Sequence, residues 1–590
     1  MGDKYIVFTA WPYSNGDLHI GHIAGAYLPP DILARYLRLR GYELIMASGS
    51  DTHGTPITVR AEEEGITPRQ VVDHYHPRFL EAFQKLGITF DLFTETDTEN
   101  HWHVAQQMFL RLLENGYLYK DVQTSFYCEN CDRFLADRYV EGICPHCGYD
   151  GARGDQCDNC KRTLDALELI EPRCKVCGRR PVPRETEHYF LDLARLNRPI
   201  LAWVRTDKEH WRPNVLNFTL AQLESGELRG RPVTRDIGWG ISVPLEGFEH
   251  KTIYVWMEAV TGYLSVIHEW ARNKGDPELW RAWWQNPSVR HYNFIGKDNI
   301  PFHTIIWPGM LIGHGGLTLP YDVPSNEYLN VEGRKLSKSR RWVVEVLDFL
   351  SRYDPDPLRY ILTINAPEAQ DTNFSWEEFV RRNNDELVAT WGNLANRMLK
   401  FAYKNFDRRV PTPGELTPAD RELLDRIEAA FEPVGDLIHA CKFKAALSEV
   451  MALAHEANRY LDEQAPWFQI KEGRESAATT TYTTLRAIDS LKTLFLPFLP
   501  FSGQSLHRML GYETDIFGHQ YVETIQEETK THLALGYEPP ADSHGWKPSE
   551  LPPGQPLGEP APLFKKLDDK IVDEEVARMT KGEGPGGQKT

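Results

Sequence analysis

Eight of the chain's nine cysteines form four C-x-x-C pairs inside fifty residues: Cys128/Cys131, Cys144/Cys147, Cys157/Cys160 and Cys174/Cys177, separated by 12, 9 and 13 residues. The stretch around them, 127–180, is rich in glycine and charge and has too few aliphatic residues for a hydrophobic core, so something other than burial must hold it together. Four thiolates complete one tetrahedral metal site. Eight complete two and leave no position open to water, which predicts two structural four-cysteine zinc sites rather than a disulfide framework or a redox pair. Gly142, Gly148 and Gly178 flank the pairs where such knuckles turn. Cys441 lies on a predicted helix far from this cluster and reads as a small core residue.

The knuckles interrupt an α/β pattern. Residues 4–10 form a β-branched and aromatic run that ends in a Pro/Asn/Gly turn, and 20–39 carry apolar residues at helical spacing. A second apolar run, 42–46, ends in the small-residue loop SGSDTHGT, completing a βαβ unit whose ligand would sit at the carboxyl ends of parallel strands. Helical spacing fills 67–116. Strand-like runs at 252–256 and 292–295 suggest that the same sheet resumes after the insertion. Beyond Arg352 strand signals stop, and 376–531 reads as amphipathic helices with breaks near 411–418 and at Pro466. Eleven of the 24 residues in 539–562 are Pro or Gly, which predicts an extended wrapping tail before one weak helix at 563–580.

The expected architecture is a Rossmann-type α/β parallel-sheet domain with a nested zinc-knuckle insertion, followed by an all-α helix bundle. The sheet domain would occupy 1–116 and 236–330, with the insertion at 117–235 and a basic loop with its connecting region at 331–375. The bundle would span 376–531 and the tail 532–590.

Over 590 residues, 41% hydrophobic and 25% charged, the formal charge is 66 − 84 = −18. That excludes nucleic-acid binding through a cationic charge spread over the whole surface and leaves room for a local basic face. The opening MGDKYIVFTAWPYSNG has too short an apolar run for a secretion signal, and Ile6 breaks the myristoylation pattern. The most apolar late stretch, 491–501, contains Lys492 and two prolines, so no membrane segment is expected and the protein is expected in the cytoplasm.

His19-Ile20-Gly21-His22 follows a predicted strand and opens a predicted helix, where unpaired backbone N–H groups and the positive helix end stabilise phosphates. Lys335 to Ser339, KLSKS, begins 313 residues after His22 in a glycine-bearing loop, NVEGRKLSKSRRW, that can close on a polyphosphate. In this order the two segments resemble the signature pair of class I aminoacyl-tRNA synthetases. The segments TAWPYSNGDLHIGH, SGSDTHGTP, YVWMEAVTGY and FIGKDNIPFH, with the four knuckles, narrow the resemblance to the methionyl-tRNA synthetase family over nearly the whole chain. The isoleucine, leucine and valine enzymes carry a large editing domain between the signatures; here zinc knuckles occupy that interval. Where many relatives read W-x-D-A-P-I-G-Y, this chain has Glu258, Val260 and Thr261. A small-molecule nucleotidyltransferase, some of which also use H-x-G-H, would not need the long helical region, and a zinc-dependent scaffold would not need both signatures intact.

The resemblance implies activation of L-methionine by ATP with Mg²⁺, then transfer of methionine to the 3′ end of tRNA(Met). It implies that His19 and His22 contact the triphosphate with Gly21 lying close to the nucleotide, that Lys335 and Lys338 act on the departing pyrophosphate, and that Gly296 and Asp298 face the ribose. Methionine would sit among Ala10, Tyr13, Trp256, Ala259, Tyr263 and His303, its ammonium on Asp51. A thioether offers almost no hydrogen bonding, so shape and sulfur–aromatic contacts must select it. Asn393, Arg397 and Trp467 would read the anticodon, a stacking ring and two edge-reading groups suiting splayed single-stranded bases. Relatives with one zinc keep the middle two knuckles, which implies nesting of Cys144/Cys147 with Cys157/Cys160 inside Cys128/Cys131 with Cys174/Cys177; sequential pairing is the alternative. Some relatives dimerise through a C-terminal oligonucleotide-binding barrel, and the Pro/Gly-rich residues after Thr531 do not resemble one, so a monomer is expected.

Overall fold

The computed structural model describes residues 3–582 except 155, 156, 158, 161, 163, 337–341 and 542–544. Its centre is a seven-stranded sheet built from β1 (Lys4–Thr9), β2 (Glu43–Ser50), β3 (Leu92–Glu95), β4 (Arg290–Gly296), β5 (Ser325–Asn326), β6 (His519–Gln526) and β7 (Thr531–Glu538), in spatial order 5-4-1-2-3-7-6. Strands 5, 4, 1, 2 and 3 are parallel, with Tyr5 opposite Arg290 and Leu44; β7 runs antiparallel to β3, and β6 to β7. Both faces are covered. Along β1, Tyr5 and Val7 enter one apolar cluster while Ile6 and Phe8 enter the other, and in β2 Met46 and Ile45 divide likewise, as the two-residue side-chain period requires. The chain leaves β1 for β2 on one side and returns to β4 on the other, so β1 and β4 flank a topological switch with a crevice beyond their carboxyl ends.

Among the helices that flank the crevice and build the helical region are α1 (Glu99–Glu114), α2 (Val255–Asn273), α3 (Asn393–Asn405), α4 (Phe443–Gln464) and α5 (Pro466–Glu472). The strand expected at 252–256 is confined to Thr252–Ile253, and Val255 already begins α2. The β-branched and aromatic composition of that run misleads because its apolar residues continue at helical spacing into a 19-residue buried helix.

The insertion is a long antiparallel ribbon, Leu118–Cys128 against Val182–Leu191, with Leu118 opposite Leu191 and Tyr127 opposite Val182. Its far end carries a small sheet, Val140–Ile143 between Asp150–Arg153 and Ile170–Cys174. Because the ribbon brings its two ends together, Cys128/Cys131 meet Cys174/Cys177, and the inner knuckles Cys144/Cys147 and Cys157/Cys160 meet each other. Pairing is therefore nested. Gly148 and Gly178 sit at φ of +72° and +71°, a turn conformation that a β-carbon disfavours.

The helical region begins at Trp376–Arg382 and ends at Pro500–Met509. The expectation of helix through Thr531 fails there: 519–538 is the β6–β7 hairpin, which crosses back to the sheet domain and caps the free edge of β3. At its turn, Glu527 accepts from the backbone N–H groups of Glu99 and Asn100 at 2.7 and 2.9 Å, at the start of α1, while Glu99 accepts from those of Glu528 and Thr529 at 2.8 and 2.9 Å. Two carboxylates thus stabilise each other's open N–H groups. Fully buried Arg359 joins the bundle to the sheet domain, donating to Asp31 at 2.7 Å and to the carbonyls of Leu86, Pro497 and Phe498 at 3.1, 2.9 and 2.8 Å. The tail wraps the molecule, and its helix, Lys570–Gly582, sets Glu575 on Arg352 at 2.7 Å. Cys441 is a buried core residue as expected, but it stands in a left-handed turn (φ 55°) between the helix Phe431–His439 and α4 rather than on a helix.

Candidate active site

The crevice at the switch is a cavity of about 590 Å³. After β1 the backbone N–H of Ala10 donates to Phe294 of β4 at 3.0 Å, and His19 caps a continuous helix that runs from Ile20–His22 through a π-helical turn, Ile23–Tyr27, into Leu28–Leu39. The His19 and His22 rings stack with centroids 3.6 Å apart, and the His19 backbone N–H donates to Nδ1 of His22 at 3.1 Å. Both rings line the cavity at the positive end of that helix.

The lysine-bearing turn meets this helix start directly. A β-carbon on Gly21 would lie 2.4 Å from Cδ1 of Leu336, so only glycine admits that leucine without displacing it. Beyond the turn the chain is tied to the same helix: Ile20 N–H donates to Val344 at 3.0 Å, and Val346 N–H to Leu18 at 2.9 Å. Trp342 is buried, its indole donating to Val331 at 3.0 Å. Lys335 and Leu336 line the cavity; Lys338 lies outside the described residues. Lys335 holds its ammonium 5.2 Å over the Tyr328 ring, and the Tyr328 hydroxyl donates to both Asp298 oxygens at 2.5 and 2.6 Å. Asp298 follows Gly296 at the end of β4, and both face the cavity.

On the other side stands an aromatic wall. Trp256, Ala259 and Tyr263 recur at i, i+3 and i+7 on α2 and so share one helix face. Trp256 stacks on Phe302 with centroids 4.2 Å apart and meets Tyr13 edge-on at 6.3 Å. His303 is buried between Tyr263, 2.7 Å from Nε2, and the Asn299 carbonyl, 2.9 Å from Nδ1. Burial pulls the His303 pKa down to about 4, so the ring is neutral at pH 7; Nδ1–H donates to Asn299 and Nε2 accepts from the Tyr263 hydroxyl. Ala10, Tyr13 and Asp51 complete this end of the cavity.

Asp51 is 3% exposed. Burial, then the carboxylate of Glu258, push its pKa well above the usual carboxylate range, against the opposing pull of His53. His53 pairs with Glu258 at 2.8 Å and faces Asp97 at 3.8 Å. Burial disfavours its charge, but Glu258 and Asp97 prevail and raise its pKa to about 10. The second Glu258 oxygen has no hydrogen-bond partner among the described residues. Asp97 is also paired with Lys530 at 2.5 Å and Arg69 at 3.1 Å, so it is Asp51, buried beside Glu258, whose charge a further cation stabilises.

Every described residue expected around nucleotide and amino acid therefore lines one cavity. Several lining or supporting residues escaped sequence reasoning. Trp11 is wedged between backbones: a β-carbon on Gly49 would lie 2.2 Å from its ring, and one on Gly262 2.8 Å. Two glycines in segments facing one crevice were the available signal. Phe302, Tyr328 and the His53–Glu258 pair depend on contacts between distant elements and had no local signature.

Away from the cavity, the sulfurs of each cysteine quartet lie within 4.8 Å of one another, with Cys128–Cys177 at 3.4 Å, Cys131–Cys174 at 3.9 Å, Cys144–Cys160 at 3.8 Å and Cys147–Cys157 at 3.6 Å. These are far beyond a disulfide and close to the edge of about 3.8 Å that a tetrahedron of sulfurs at 2.3 Å from a metal would have. Each quartet can hold a metal ion. In the helical region Asn393 and Arg397 lie on α3, and the Arg397 guanidinium stands 4.7 Å over the Trp467 ring while pairing with Asp462 at 2.8 Å.

A model of class I tRNA synthetases (M) matches residues 5–399, and one of the anticodon binding domain of methionyl tRNA ligase matches 410–536. The methionine–tRNA ligase of Thermomicrobium roseum is 56% identical over 98% of this chain and 99% of its own, and that of Roseiflexus castenholzii 54% over the same shares. The Mycobacterium tuberculosis methionyl-tRNA synthetase bound by methionyl-adenylate superposes with a TM-score of 0.75 at 26% identity, covering 95% of this chain and 100% of that one. With both family models in place and relatives alike from end to end, the chain belongs to the methionyl-tRNA synthetase family of class I.

Proposed function

We propose that the chain charges tRNA(Met) with methionine in two steps. A carboxylate oxygen of methionine attacks the α-phosphorus of ATP and pyrophosphate departs; a 3′-terminal ribose hydroxyl of the tRNA then attacks the methionyl carbonyl and AMP departs. Neither step needs a protein nucleophile, so positioning and charge stabilisation do the catalysis. His19 and His22 contact the triphosphate, and Lys335 and Lys338 act on the pyrophosphate as it leaves. Gly21 lets the nucleotide approach the backbone, and Gly296 and Asp298 hold the ribose, the latter fixed by Tyr328. Asp51 receives the methionine ammonium. Tyr13, Trp256, Tyr263 and neutral His303, with Ala10 and Ala259, enclose the thioether. Mg²⁺ arrives with ATP as a counter-ion to its phosphates.

The metal of both cysteine quartets is zinc, held by Cys128, Cys131, Cys174 and Cys177 and by Cys144, Cys147, Cys157 and Cys160. Its role there is structural, since all four positions of each ion are filled by thiolate. Asn393, Arg397 and Trp467 read the anticodon. No described helix is long and apolar enough to cross a membrane, and we place the reaction in the cytoplasm.

The observation that carries this reading is the contact of Leu336 with Gly21 across a cavity whose far wall is aromatic. ATP–pyrophosphate exchange with methionine, leucine, valine and cysteine tests it. Methionine alone should support rapid exchange, and Lys338→Ala should slow it by roughly 10²-fold or more, the scale of removing one donor to developing charge. Exchange driven equally by leucine or valine would overturn the assignment.

A further inference from the structure

Phe468 is 61% exposed, the most of any large apolar side chain among the described residues. Single exposed apolar residues are common, and exposure alone assigns nothing. Its setting is more specific. Ala465 adopts a left-handed conformation (φ 43°) between α4 and α5, and Pro466 starts α5, which fixes the direction of that helix's first turn. Pro466 is buried and Ile470 packs against the Phe406–Ala477–Ala478 cluster, so Phe468 is carried outward. Lys471, three residues on, holds its ammonium 5.4 Å over the Phe468 ring.

Trp467 stands next to it under the Arg397 guanidinium. On α3, Asn393, Arg397, Lys400 and Lys404 recur every three or four residues and form one strip, with Lys400 and Lys404 exposed. Carboxylates in the same elements include Asp462, paired with Arg397, exposed Glu463 at the end of α4 and Glu472 on α5. Trp467 under Arg397, and the exposed Phe468 with Lys471 at its ring, together with the cations that share α3 with Arg397, match what unpaired RNA bases need: a π-face to stack on and positive charge for the phosphates between them. The match to an anticodon-binding domain, 410–536, takes in α4 and α5 and begins just after α3.

We propose that Phe468 is a second stacking platform, beside Trp467, for an unpaired base of the tRNA anticodon loop, with Lys471 meeting the adjoining phosphate. The proposal rests on the anticodon reading given to Asn393, Arg397 and Trp467 and extends it by one base.

The test uses the full chain and tRNA(Met) transcripts carrying 2-aminopurine at each anticodon-loop position in turn. Two positions should be quenched on binding, one stacked on Trp467 and one on Phe468. At saturating protein the second quench should be lost in Phe468→Ala and kept in Phe468→Tyr, while the first remains. The KM for tRNA should rise about 5- to 100-fold in Phe468→Ala with kcat little changed. Circular dichroism and the rate of pyrophosphate exchange, which needs no RNA, report that the variant is folded. If Arg397→Ala and Trp467→Ala weaken tRNA binding but Phe468→Ala leaves both KM and quench as in the parent, this proposal falls and the anticodon reading stands. If Arg397→Ala and Trp467→Ala also leave tRNA affinity unchanged, the anticodon reading itself falls and takes the platform with it.

Discussion

At Asp51 the folded chain holds a carboxylate in surroundings that favour its neutral form, and the consequence has a sign. A carboxyl whose pKa is higher folded than unfolded binds its proton more tightly in the native state, so ionising it as pH rises above the ordinary carboxylate value lowers stability. A methionine ammonium beside it reverses the preference. Asp51→Asn should therefore raise the melting temperature of the ligand-free protein on the alkaline side of that window and leave it little changed on the acid side, as scanning fluorimetry across pH would record. The same variant should raise the KM for methionine in pyrophosphate exchange by about 10- to 100-fold, the scale of a lost hydrogen bond to a charged group. An unchanged KM would remove Asp51 from the amino-acid site. His19, His22 and Asp51 could be singled out from sequence because each stands in a short motif at a strand's end. Glu258 could be named only as a departure from the segment its relatives carry: its role depends on His53, 205 residues earlier in the chain, and the helical spacing of α2 alone places it no differently from any buried polar residue.

Among the elements, the knuckle ribbon was legible in composition and the hairpin was not. Cysteine spacing is a local code, and its nested outcome follows once Leu118–Cys128 and Val182–Leu191 pair. The β6–β7 hairpin finds its partner, β3, more than 400 residues upstream, and β6 is mostly exposed, so it lacks the apolar alternation that marks a half-buried strand. Read beside a run of helices, β6 passed for one more and β7 for the start of the tail. The two quartets differ in where they act: the outer one closes the ribbon end and the inner one organises only the tip. Metal analysis should find two zinc ions per chain in the parent and one in Cys144→Ser, with exchange largely retained. Cys128→Ser should also bind one fewer zinc and should lose more thermal stability, because it opens the ribbon where both knuckle pairs are anchored. Equal metal content in parent and variants would refute the assignment of these thiols as ligands.

Across the whole molecule, the tail does mechanical work that its composition did not announce beyond a tendency to wrap. Trp546 is 8% exposed, edge-on to Tyr36 of the sheet domain at 5.1 Å and 5.4 Å from Phe431 of the bundle, with its indole donating to the Phe431 carbonyl at 2.9 Å. It spans the seam that Arg359 bridges from within. Trp546→Ala should destabilise the chain by about 3 kcal/mol, within the range for truncating a buried aromatic, and chemical denaturation would measure it. Loss of less than about 1 kcal/mol would show that the seam does not depend on the tail.

The sheet's last two strands have a bearing on synthesis. Glu95 leaves the ribosome 436 residues before Thr531, counted as 531 − 95, an interval of roughly 20 to 90 seconds at ordinary translation rates. Throughout that time the flank of β3 is an unpaired row of amide and carbonyl groups, open to another nascent chain. The hairpin close to the C-terminus is what finally closes it, so a ribosome that stalls in the bundle releases a product with its most adhesive border still bare.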